Sequence, residues 1–248
     1  MVDRNLPAAP PPDAEPSPDG DTAHTSGDPA HLADPRANTS LSTEHWSLLT
    51  ARSLVYNETF TRGGMFLTLL SASLVALGFV YQGGGGGSEF LGVVIAVLLI
   101  DLFVGVATLG RIISASIEEF RALQAMARIR HGYLEMVPTL DPYISTSRYD
   151  DADSVLSVYG PGGAQTPLLN LLHGLTTMPG MLTVINSTLV AALGSTVALL
   201  LGASAVVALV VGIAVGTAAL LTFSAYAIRT FGNISRFLAP RFPPPPAP

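Results

Sequence analysis

FLGVVIAVLLIDLFVGVATLGRIISASIEEFRALQAMARIRHGYLEMV, residues Phe90 to Val137, opens as an apolar run, carries one acid, Asp101, at the middle of that run, and continues as a charged segment. Phe90 to Gly110 is 21 residues, about 31 Å at the helical rise, which matches the hydrocarbon core of a bilayer. Beyond Arg111, Ile113, Ile117, Phe120, Leu123, Met126, Ile129, Tyr133 and Met136 recur every three or four residues between Arg and Glu side chains. The pattern predicts one long helix, half in lipid and half in cytoplasm, ended by Pro138.

The composition agrees with a membrane class. The 248 residues are 49% hydrophobic and 12% charged, and the apolar residues come in blocks long enough to cross a bilayer. The net charge of −6 arises in the first 40 residues, which hold seven acids and two arginines; the remainder is nearly neutral. No basic patch exists to attract nucleic acid. The chain has no Cys, hence no disulfide or thiolate chemistry, and all 12 of its basic residues are Arg. Without Lys there is neither a P-loop nor a Schiff base, and the glycine run Gly83 to Gly87 reads as a tether rather than a phosphate cradle.

Residues 1–40 contain eight prolines and few apolar side chains, and are expected to be a disordered arm. Ser42 and Thr43 form a candidate N-cap for a short amphipathic helix over residues 41–63, with Trp46, Leu49, Ser53, Tyr56 and Phe60 at helical spacing. Its apolar face is expected to pack on the stripe of the long helix. Gly64 to Tyr81 is an uncharged first span, and with Phe90 to Gly110 it makes a first transmembrane hairpin over residues 64–110. Residues 111–179 form a cytosolic helical region, with short helices expected near Asp153 to Gly160 and from Pro167. Its acids, Asp141, Asp150, Asp151 and Asp153, lack the spacing of a calcium loop and are assigned to solvated loops and capping. Gly180 to Ile228 has no charged residue and is the right length for a second hairpin turning near Gly202 to Ser204. Residues 229–248 are an Arg- and Pro-rich tail, extended and solvated from Pro243. The fold class is therefore all-α: a polytopic helical membrane protein with four transmembrane helices in two hairpins and a cytosolic helical extension.

Polar and small residues mark the candidate sites within the spans. Asp101 has no cation at its depth and is expected either to hydrogen-bond to a Ser, Thr or Asn of a neighbouring span, such as Ser73, or to line water; Gly105 and Thr108 continue its helix face as a small, polar strip suited to close packing or to a pore wall, and Asn186 lies in the third span. Gly194 and Ala198, with Gly202, and Gly212 and Gly216, with Ala208, repeat at intervals of four, the spacing at which small residues let helices pack closely in lipid. No catalytic or metal-ligating constellation is present. The five histidines all lie outside the spans, there is no HExxH, and no cofactor is implied. Four Asn-x-Ser/Thr triplets, at Asn38, Asn57, Asn186 and Asn233, fall in the cytosolic segments or within a span, where they cannot be glycosylated.

Arg52 and Arg62 precede the first span, Arg111, Arg121, Arg128 and Arg130 follow the second, and Arg229, Arg236 and Arg241 follow the fourth, while the outer loops have no Lys or Arg. The bias predicts a multi-pass protein of the cell membrane with both termini cytoplasmic. EHWSLLTARSLVYNETFTRGGMFLTLLSASLVALGFV from Glu44, RIRHGYLEMVPTLDPYI from Arg128 and GLTTMPGMLTVINSTLVAALG from Gly174 resemble a set of uncharacterised actinobacterial integral membrane proteins. The resemblance implies a bacterial source and the same topology, and transfers no functional residue. In layout alone, the chain is also similar to predicted pore-forming two-helix effectors of bacterial conflict systems. Two function classes follow: a small oligomeric channel, pore or effector with a cytosolic sensor, or a structural adaptor whose rod recruits a cytosolic protein. The lipid bilayer is the expected partner in either case, with a second copy of the chain or a cytosolic protein as a further candidate.

Overall fold

The computed structural model describes residues 34–159, 174–237 and 239–245, and among these all regular structure is helical, without strands. Five α-helices follow in order: α1 (Pro35–Gly84), α2 (Ser88–Met136), the short α3 (Ala152–Leu156), α4 (Met178–Leu200) and α5 (Ala205–Phe237). α1, α2, α4 and the Ala205–Thr230 part of α5 are each long and apolar enough to cross a membrane. α2 is the central helix, packed against α1 on one side and α4 on another, and α4 and α5 form the second hairpin.

α1 and α2 are each continuous from the apolar end of the molecule to a charged end. At 1.5 Å per residue each rod is about 75 Å long. The helix start expected at Ser42 is not where α1 begins. Asp34 accepts from Arg36 N at 2.8 Å, with Pro35 in the first turn, so a stronger capping signal lies upstream and residues 35–40, expected to be disordered, are helical. Residues 1–33 and the helix expected from Pro167 lie outside the described residues. Nor does Gly63–Gly64 break the rod: both stay helical, and Gly63 is buried under the flexible end of Met178. The tether expected over Gln82 to Glu89 is also shorter than its glycines suggest. Gly83 and Gly84 stay helical, Gly85 turns the chain at φ 75°, and α2 resumes at Ser88.

α2 runs as one helix through Arg111 and stops before Pro138, which begins a 3₁₀ turn, Pro138–Tyr143. The first hairpin meets α4 around Phe66, Leu98, Leu109, Ile112, Ile113, Leu182 and Leu189. At the charged end Phe120, Leu123 and Met126 of α2 form a second cluster with Leu48 and Leu49 of α1 and Val155 of α3. The antiparallel pairing of residues 42–62 with 111–137 is therefore present. Its register is fixed by ions: Glu58 receives Arg111 Nη2 at 2.8 Å and Nε at 2.9 Å, and Arg52 reaches Glu119 at 3.1 Å. Of the face expected to pack, Leu49 does turn inward, beside Leu48, but the helix is rotated enough that Trp46 is 67% and Phe60 64% exposed.

The second hairpin turns at Gly202, φ 85°, as its sequence predicts. α5 extends past Ile228 to Phe237, and the tail then folds back on the charged end. There the Asp150 carboxylate is fully buried and bound to the backbone of Arg241 and Phe242, which corrects its assignment to a solvated loop. Asp151 does cap a helix, accepting from Ser154 N at 3.2 Å, and that helix is α3 followed by a 3₁₀ turn, Ser157–Tyr159. Pro243 to Pro245 are exposed.

Candidate functional site

Most hydroxyls of the apolar bundle satisfy themselves. Thr68, Ser71, Ser187, Thr188 and Thr196 each donate to the carbonyl four residues earlier in their own helix. Ser73 does not; its Oγ donates across the hairpin to Asp101 Oδ1 at 2.9 Å. The partner named from sequence is thus the residue that reaches the acid, and Asp101 is only 1% exposed. A buried acid in an apolar bundle is costly unless hydrogen-bonded, so this contact adds, within the apolar half, to the ion pairs that align α1 on α2 at the charged end.

Gly105 and Thr108 lie one and two turns along α2 on the same face, and both are buried. Gly105 is the point where α1, α2 and α4 converge. A Cβ there would collide with Asn186 Oδ1 of α4 and stand 2.9 Å from Phe66 Cζ of α1. Asn186 is fully buried; its Nδ2 donates to Leu182 O at 2.9 Å, while its Oδ1 has no hydrogen-bond partner among the described residues. Thr183 and Ser187 are buried beside it on α4. The five polar candidates of the apolar helices thus divide between two contacts, Ser73 with Asp101 and Asn186 over Gly105, joined by the Asp101–Thr108 face. Phe66 is the participant that sequence did not mark, since a Phe within an apolar span carries no local signal.

Of the small residues, Gly212 and Gly216 sit in tight crossings. A Cβ at Gly212 would collide with Ser195 Oγ and stand 2.8 Å from Ala191 O; at Gly216 it would stand 2.6 Å from Ala191 Cβ and 3.2 Å from Ser187 O. The α4 side of the crossing is therefore Ser187, Ala191 and Ser195. The ridge expected there is displaced: Gly194 has only ordinary contact with Val215, Ala198 is buried, and Gly202 is a turn residue.

Outside the apolar region the electrostatics are concentrated on Glu58. Hydrogen bonds from Arg111, then Arg62, hold its carboxyl down at about 2, and the bonds of Arg111 to Glu58 and Glu118 raise Arg111 in turn. Among the described residues no group of three or more His, Asp or Glu side chains could hold a metal ion. Comparison with protein-family models, with curated proteins and with solved structures found no match.

Proposed function

We propose that this chain is a multi-pass protein of the cell membrane, with both termini and the charged end in the cytoplasm, that serves as a structural adaptor. Its four spans are the anchor, and the charged rod of α1 and α2 is the surface offered to a cytosolic protein. The observation that supports this reading is the closed state of Asp101: 1% exposed and bonded to Ser73, it joins helices within one chain. The arginine distribution supports the orientation. The resemblance to actinobacterial membrane proteins supports a bacterial source.

A small oligomeric channel, pore or membrane effector is the second reading, favoured by the unpaired Asn186 Oδ1 beside Gly105. An oxygen left without a donor in a buried polar face is a place where water or a cation is stabilised. Purified chain in proteoliposomes separates the two. The adaptor reading expects no leak, an unchanged assembly for Asp101→Asn, which keeps an acceptor for Ser73, and a destabilised bundle for Asp101→Leu, by about 1–2 kcal/mol. A proton or cation leak that collapses in Asp101→Asn while assembly persists would establish the channel instead.

A further inference from the structure

The tail segment Ala239-Pro240-Arg241-Phe242-Pro243-Pro244-Pro245 has few backbone donors, because three of the residues around Arg241 and Phe242 are prolines and a fourth follows. The two donors it does offer at its centre are both taken by one carboxylate. Arg241 N donates to Asp150 Oδ2 at 2.9 Å and Phe242 N to Asp150 Oδ1 at 2.8 Å, and Asp150 N returns a bond to Phe242 O at 3.3 Å. The Phe242 ring stacks on His131 of α2, centroids 4.1 Å apart and planes 20° from parallel.

The receiving side is prearranged by the α2 rod. Arg128 Nε donates to Asp150 Oδ2 at 2.6 Å, Gln124 Nε2 to Asp150 O at 3.0 Å, and Arg130 Nε to Ser147 O at 3.1 Å, so three side chains of α2 hold the Ser147–Asp150 loop in place. Burial disfavours the Asp150 charge, but the backbone donors of Arg241 and Phe242 and the Arg128 guanidinium outweigh it and hold its carboxyl below the usual range. A carboxylate that takes two successive N–H groups, an edge that pairs main chain, and a flat ring that receives an aromatic are the elements of an extended-peptide receptor. The prolines suit the ligand to it, since a stiff extended segment loses little conformational freedom on docking.

We propose that Asp150, His131 and Arg128 form a recognition socket for an extended Arg-Phe-Pro segment, and that the chain's own tail fills it in cis. The linkage from the end of α5 is a few residues long, so the tail is present at high effective concentration and a weak intrinsic affinity suffices. Occupancy ties the second hairpin to the rod of the first at the charged end, whether or not the bundle conducts.

The test uses the full chain in detergent and a fluorescent synthetic peptide of residues 239–248, read by anisotropy. Wild-type protein should bind the peptide weakly, because the tail competes. Phe242→Ala should empty the socket and bind at least tenfold tighter, and adding Asp150→Asn should remove that gain. A peptide with Ala in place of its Phe should fail to bind the Phe242→Ala protein, a control that does not depend on the folding of the double variant. If Phe242→Ala binds no better than wild type, or takes the Phe-less peptide equally well, the socket does not exist.

Discussion

At Gly212 the side chain is a single hydrogen, and the space it leaves is filled by Ser195 Oγ and the Ala191 carbonyl. A backbone oxygen of a packed helix cannot swing aside as a side chain can. Gly212→Ala should therefore push α5 off α4 and destabilise the bundle by about 1–3 kcal/mol in detergent unfolding. Gly78→Ala provides the contrast, because nothing lies within 4 Å of its added methyl and the helix gains about 0.5–1 kcal/mol. Equal effects at the two sites would mean that α4 and α5 do not cross at Gly212. Glu58 gives a pH dependence of defined sign. Its carboxyl is held at about 2 against an ordinary value of 4.5, so the contribution of its fork to Arg111 and Arg62 is complete above pH 4.5 and is lost as the pH falls toward 2. Melting curves between pH 5 and 2 should show the loss, and Glu58→Gln should flatten that part of the profile.

The rods α1 and α2 are the elements on which the molecule depends. Their charged halves should crosslink when Leu49→Cys is paired with Leu123→Cys, in a chain that otherwise has no Cys, since Leu49 packs on the cluster containing Leu123. Pairing Trp46→Cys with Leu123→Cys should give no link, because Trp46 faces outward. Reversed yields would mean that α1 is rotated. The rods were legible in the sequence because periodicity and hydropathy are local: the apolar block, the stripe after Arg111 and Pro138 are all read without a partner. The rotation of α1 was not. It is set by Arg52 and Glu58 reaching Glu119 and Arg111, residues 67 and 53 positions away, against the pull of Trp46 and Phe60. Asp101 was legible, as the lone acid in an apolar run, and Ser73 was one of few polar groups able to meet it. Asp150 was not, because it sits among other loop acids and its tail partners lie 91 and 92 positions downstream.

The whole molecule places Arg62, Arg111 and Arg229 at the same end of the apolar bundle and the turns at Gly85 and Gly202 at the other. Reporter fusions after Val137 and after Arg241 should both read cytoplasmic, and periplasmic activity at either would reverse the proposed orientation. In the proposed topology the continuity of α1 and α2 has a mechanical consequence. A span of about 31 Å fits a bilayer about 2 Å thinner by tilting roughly 20°. The same rigid rod carries roughly 26 residues beyond the lipid, about 39 Å, so the tilt sweeps its tip sideways by about 13 Å. A helix with no joint at the surface is a pointer that enlarges small changes of membrane thickness several-fold.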